Sequence, residues 1–152
     1  MNTKNYDSER DTKRHMENVT HFMSMAILNL ERRRKNHDAS KLQSPEKEMF
    51  DKYTPLLKEL TYGSKEYKKA LQEMGVGLKH HYENNSHHPE HFDVGIDGMS
   101  LLDLLEMYCD WQAASLRHTG GSFVQSLAIN KERFGMSDQL FAIFLNTTRE
   151  LY

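Results

Sequence analysis

The chain contains a single cysteine, three prolines and no apolar run near the ~18 residues a membrane span needs. One thiol, Cys109, excludes a disulfide framework and a cysteine-based zinc site. Neither charge sign dominates, since 20 Lys+Arg stand against 22 Asp+Glu for a net charge of -2. General nucleic-acid binding depends on a basic face that neutralises phosphates, so it is not expected. The one basic cluster, Arg32-Arg33-Arg34-Lys35, reads as a helix end whose cations complement the dipole. A glycine-rich phosphate loop is missing, because Gly75 and Gly77 fall inside a helical pattern and Gly120-Gly121 falls between helices. No serine sits in a nucleophile elbow. Cys109 lies among large apolar residues and is expected to be a buried, inert thiol. The N-terminal MNTKNYDSERDTKRH has no apolar core, so no secretory signal is expected.

What the sequence does have is histidine. There are nine, and His80, His81, His87, His88 and His91 fall within twelve residues. The 152 residues, 38% hydrophobic and 28% charged, suit one globular domain spanning 1–152. Valine is sparse and strand-like alternation is absent, so the expected fold is all-α, a single-domain bundle of about six helices. A first helix is expected from about Ser8 to Asn36, with no Gly or Pro inside it. Ser44-Pro45-Glu46 predicts a second start, Ser as cap and Pro as first residue, with an interruption near Thr54-Pro55. A third helix should follow Gly63-Ser64 and reach about Asn84, and a fourth should run from a Ser100 cap to about His118. Two shorter ones are expected over Ser122–Phe134 and Ser137–Glu150.

Helical spacing decides which polar residues share apolar faces. His15, Val19, Phe22, Ala26 and Leu30 form one stripe, which predicts His15 on a buried face. Tyr67, Leu71, Met74, Leu78, His81 and Asn85 form a cleaner seam, from which His80 is turned away. Asp103, Glu106, Asp110 and Arg117 make a polar column on an otherwise apolar fourth helix. Carboxylates there are costly unless a cation neutralises them. Each of these has a plain reading: a hydrogen-bonded core histidine, an ion pair to Arg117, surface loop histidines. Their coincidence favours another. Imidazoles and carboxylates converging from separate helices suit Zn, Mn, Fe or Ni in a bundle interior.

The string NHDASK at 36–41, with histidines before and after and a later Asp, resembles the HD-domain phosphohydrolase superfamily. That resemblance implies an all-α fold, one or two divalent metals (Mn, Fe, Zn, Ni or Mg) and hydrolysis of phosphate esters, nucleotides foremost. It implies metal ligands His15, His37, Asp38 and Asp110, with Asp103 as the other candidate for the last position, and Lys41 as a phosphate contact. His80-His81 falls where a branch with additional metals carries a paired histidine. A second likeness covers nearly the whole chain. HDASKL, HHYENNSHHPEHF and LLDLLEMYCDW are similar to a family of unknown function frequent in phage and bacterial genomes, with His81, Asn85, His87 and His88 in one motif and Glu106, Asp110 and Trp111 in another. The expected location is therefore the cytoplasm of a bacterial cell or phage-infected host.

His15 and His37 are 22 residues apart, roughly 33 Å on a continuous helix. Either the helix breaks near Asn29–Lys35, or His15 serves elsewhere, such as across a subunit contact in a homodimer. The remaining expectations are chemical. His37, Asp38, His81, His87, His88 and Asp110 would hold metal, with Asp38 bridging two ions. Lys41 and Arg117 would neutralise phosphate oxygens, Asn85 would orient a ligand or touch substrate, and Glu106 would orient a ligand or accept a proton. His87 or His88 could alternatively protonate the leaving group. The alternative function is a metal-containing binding module for a nucleotide or host protein, without turnover. No membrane partner is expected.

Overall fold

The computed structural model describes residues 7–61, 63–117 and 121–151. Six α-helices and three 3-10 turns make up these residues, and no strand occurs among them. Among the described residues no helix is long and apolar enough to cross a membrane. The expected all-α class and helix count hold. The chain divides into two compact units, Met1–Asn36 and His37–Tyr152.

The first unit contains one helix, α1 (Glu9–Asn36). Asp7 accepts from the Glu9 amide at 3.0 Å, Glu9 and Asp11 lie in the first turn, and Arg33, Arg34 and Lys35 lie in the last. Acid at the start and base at the end both favour the dipole. No residue of α1 is buried, which corrects the expectation that His15, Val19 and Phe22 share a buried face. The unit has no second element to cover that stripe, and Phe22 is 68% exposed. Nor does the helix break near Asn29–Lys35.

The second unit opens with a turn at His37 and Asp38. Asp38 adopts a left-handed conformation at φ 57°, which few residues other than Gly, Asn and Asp tolerate, and a 3-10 turn, Ala39–Leu42, follows. Then come α2 (Glu46–Glu59) and α3 (Lys65–Asn84). The cap of α2 is Pro45, one residue later than expected, and the helix runs through Pro55 without interruption. Pro55 sits on the exposed side, where water can serve the carbonyl that loses its amide partner. Ser64 caps α3 by accepting from the Tyr67 amide at 3.1 Å. The two helices approach closely at Gly77, where a Cβ would lie 2.8 Å from Met49 Cβ and Cγ. Tyr53, Ala70 and Met74 form their buried core.

Two short 3-10 turns, Pro89–His91 and Gly95–Gly98, carry the chain to α4 (Leu101–Ser115), α5 (Phe123–Phe134) and α6 (Asp138–Leu151). Ser100 and Asp103 cap α4 reciprocally, the Asp103 amide donating to Ser100 Oγ and the Ser100 amide to Asp103 Oδ2. α4 ends at Ser115 with Leu116 as its cap, short of the expected His118, which with Gly120 lies outside the described residues. Met107, Tyr108, Trp111, Leu127, Met136 and Phe144 form a second core, with Trp111 stacked on Phe134 at 5.7 Å. Cys109 is exposed rather than buried; α4 turns it away from that core. Partial burial of the thiol, with the Glu106 and Asp110 carboxylates nearby, still pushes its pKa up.

Candidate metal centre

Four elements of the second unit deliver imidazoles and carboxylates to one place. The opening turn supplies His37 and Asp38, the end of α3 supplies His81, the following loop supplies His87 and His88, and α4 supplies Glu106 and Asp110. Glu106 and Asp110 stand one helical turn apart and so share a face. The loop is anchored by Ser86, whose hydroxyl donates to Asp103 Oδ1 at 2.6 Å. Asp103 is therefore committed to capping α4 and holding the loop, and Asp110 is the acidic residue of α4 that joins Asp38 and His37.

Asp38, His81, His87 and His88 converge with one ligand atom from each within 4.8 Å of the others. Asp38 Oδ1 lies 3.4 Å from His81 Nε2 and 3.5 Å from His87 Nε2, and the Nε2 atoms of His81 and His88 lie 2.9 Å apart. Ligands at about 2.0–2.1 Å from an ion are separated by about 3.3 Å in a tetrahedron and about 2.9 Å along an octahedral edge, so these spacings fit around one cation. Asp38 Oδ1 and His87 Nε2 are buried and have no hydrogen-bond partner. A buried polar atom left unpaired costs about 1–3 kcal/mol, and an ion between the two would remove both deficits. These clusters can hold a metal.

A second group shares Asp38. His37 Nε2 lies 3.6 Å from Asp38 Oδ2 and 3.6 Å from Asp110 Oδ1. The third grouping, His37, His87 and Glu106, has a different character. Glu106 Oε1 lies 2.9 Å from His37 Nδ1 and 3.4 Å from His87 Nδ1, which leaves both Nε2 atoms turned toward Asp38. Glu46 does the same for His81, its Oε2 lying 2.8 Å from Nδ1. Carboxylates behind imidazoles fix their tautomer and raise their basicity as ligands.

Electrostatics divide the histidines. The Asp110 and Glu106 carboxylates raise His37 to about 10, so it is a cation at neutral pH. Burial, with the Lys41 charge, lowers His81, and burial with neighbouring His87 and His81 lowers His88 to about 3. His81 and His88 are thus neutral and able to donate a lone pair. Burial works to raise Asp38, but the approach of His87, the hydrogen bond and charge of Lys41 and the charge of His37 outweigh it and hold the carboxyl well below its ordinary range. Asp110 is likewise raised by burial yet lowered on balance by His37.

A cavity of about 660 Å³ opens beside the cluster. Asp38, His81 and His88 form one part of its wall; Lys41, Lys58, Arg117 and Arg133 bring cations, and Phe50, Leu57, Leu71, Met74 and Leu78 an apolar side. Lys41 Nζ donates to Asp38 Oδ2 at 2.5 Å and sits 4.9 Å from the Phe50 ring centre.

The structure brings together His37, Asp38, Lys41, His81, His87, His88, Glu106 and Asp110, and Arg117 lines the same cavity. It does not bring in His15, which is exposed on α1 roughly 32 Å along the axis from Asn36 and belongs to none of the three groups. Asn85, expected at the substrate, does not line the cavity; its amide donates to Ser40 Oγ and the His81 carbonyl, both at 2.8 Å. His80 is a support, its Nδ1 lying 2.7 Å from Glu46 Oε1. The residue that sequence reasoning missed is Glu46, fully buried and shared by His80, His81 and the Ser40 hydroxyl. Its sequence signal, an acid in the first turn of a helix, is that of an ordinary dipole partner.

The architecture and cluster define an all-α protein with a histidine–carboxylate centre able to hold a metal ion. Within that class, the chain belongs to a family of unknown function, DUF5662, whose sequence profile matches residues 4–150. No curated protein and no solved structure matches it significantly.

Proposed function

We propose that the chain is a metal-dependent phosphohydrolase of HD-domain type, acting on a small phosphate ester, nucleotides included. The observation that carries this reading is the pair of unpartnered buried atoms, Asp38 Oδ1 and His87 Nε2, in a cluster whose Asp38, His81 and His88 line a cavity that also carries cations. Asp38, His81, His87 and His88 would hold one divalent ion among Mn, Fe, Zn, Ni and Mg; His37, on giving up the proton it carries in the ion-free chain, would hold a second with Asp38 and Asp110. When bound, the cation supplies positive charge for phosphoryl oxygens and acidifies a water molecule.

The chain's own residues do the rest. Lys41 stands where a phosphate oxygen next to Asp38 would be neutralised, and Arg117 offers a bidentate fork from the cavity wall. Water oxygen adds to phosphorus, the ester P–O bond breaks, and the departing oxygen takes up a proton. His88 does not suit the donor role because its proton is lost well below neutral pH, so a ligand role fits it better. Glu106 faces Nδ1 of both His37 and His87, which favours orientation over proton abstraction.

A structural ion is the second reading, favoured by the completeness of the Asp38, His81, His87 and His88 set, since closed four-ligand shells are typical of structural zinc. Three of those four residues line the cavity, which favours an open position instead. Elemental analysis of the purified chain, followed by hydrolysis assays on p-nitrophenyl phosphate and nucleoside monophosphates with each metal, tests both. Bound metal with turnover supports the enzyme. Bound metal without turnover on any ester supports the structural ion, and a chain that takes up no metal overturns both.

A further inference from the structure

The cavity is more than a place for phosphate. Its apolar wall comes from α2, with Phe50 and Leu57, and from α3, with Leu71, Met74 and Leu78, while its cations come from several elements: Lys41 from the 3-10 turn before α2, Lys58 from α2, Arg117 from the turn after α4 and Arg133 from α5. Among the described residues neither Lys58 nor Arg117 has an ion-pair partner, so both charges are free to meet a dianion. Asp38 is the one carboxylate in the described lining, and no amide side chain occurs there. Outside the histidines, the neutral polar groups of the described lining are the hydroxyls of Thr54, Tyr67 and Tyr82, whereas an alkyl or aryl body would meet the continuous apolar side of Phe50, Leu57, Leu71 and Leu78. At about 660 Å³ the space exceeds what a phosphate head alone fills.

We infer that the groove between α2 and α3 selects phosphomonoesters with an apolar body, the dianion lying toward Asp38 and the apolar part along Phe50, Leu57, Leu71 and Leu78. This rests on the phosphohydrolase reading and names its substrate class. Leu71 and Leu57 are then specificity determinants, while Lys58 and Arg117 serve every phosphate equally.

The test is a calorimetric titration of the metal-loaded full chain with methylphosphonate, octylphosphonate and a nucleoside 5′-phosphonate, which bind without turnover. Octylphosphonate should bind at least ten-fold more tightly than methylphosphonate, because each buried methylene strengthens binding. Leu71→Asn should collapse the octyl-to-methyl ratio toward one. Leu57→Asn serves the same purpose where thermal melting shows that the first variant is unfolded. Equal affinity for octyl- and methylphosphonate, or tighter binding of the nucleoside phosphonate, overturns the inference and leaves the phosphohydrolase reading standing. Failure of all three to bind overturns both.

Discussion

Asp38 Oδ1 lies 3.5 Å from His87 Nε2, and both atoms are buried without a hydrogen-bond partner. Among the described residues the other buried polar side-chain atoms are satisfied, so two orphans facing each other mark the place where something is held. Replacing Asp38 separates charge from backbone. Asn shares the tolerance of Asp for the left-handed conformation at φ 57°, so Asp38→Asn should fold. It should nonetheless lose metal affinity by more than about 100-fold, beyond what support residues cost. Asp38→Ala should lose the metal and some stability as well, because alanine is strained there. Metal stoichiometry by plasma emission and melting temperature separate the two effects. An Asp38→Asn chain with undiminished metal would remove Asp38 from the ligand set.

The support carboxylates make a graded prediction. Glu46 is fully buried and shared by His80, His81 and Ser40, while Glu106 serves His37 and His87. Glu46→Gln and Glu106→Gln should each weaken metal binding by about 10–100-fold without abolishing it. Glu46→Ala should also cost about 1–3 kcal/mol, since buried donors lose their acceptor. Competition with a calibrated chelator reads the first effect and denaturant titration the second. Unchanged metal affinity in both Gln variants would mean that these carboxylates only pack.

Much of the fold was legible because helix ends carry local chemistry. Ser100 caps a helix as expected, Ser64 and Ser122 cap theirs where a helix start is expected, and the Tyr67-to-Asn85 seam buries Met74, His81 and Asn85 despite the kink at Gly75. The choice between Asp103 and Asp110 was also written locally, since Ser100 and Asp103 stand at capping-box spacing. Pro55 misled because its cost depends on which side of α2 meets water. His15 misled because a likeness in spacing carries no information about whether the helix between two residues bends. Glu46 was invisible for a tertiary reason: its partners lie 34 and 35 residues away on another helix.

The ion-free chain should be most stable near neutral pH. His37 is raised to about 10 in the fold against 6.5 unfolded, so its contribution is complete below about pH 6.5 and is lost as pH rises toward 10. His88 is lowered to about 3, so between pH 6.5 and 3 the unfolded chain binds a proton that the fold refuses, and stability falls with pH. Asp38 and Asp110, both lowered, steepen the loss in acid. Denaturant titrations in chelator from pH 5 to 10 should therefore give a maximum between about 6.5 and 7.5. His37→Gln should flatten the alkaline side only. A maximum that stays at the same pH with an unchanged alkaline slope in that variant would assign the slope to another group.

Gly77 links the packing of α2 and α3 to the centre. A Cβ at this position would stand 2.8 Å from Met49 Cβ and Cγ, atoms near the backbone that cannot swing aside as a side-chain tip would. Gly77→Ala should therefore push the helices apart and cost about 1–3 kcal/mol by overpacking, against the gain alanine normally brings to a helix. The displacement has a chemical readout, because Glu46 rides on α2 and His81 on α3 with only 2.8 Å between their interacting atoms. Metal affinity in Gly77→Ala should fall alongside stability, and Met49→Gly, which removes both clashing atoms, should restore much of both in the double variant. Restored stability without restored metal binding would show that Glu46 is not what couples the helix pair to the centre.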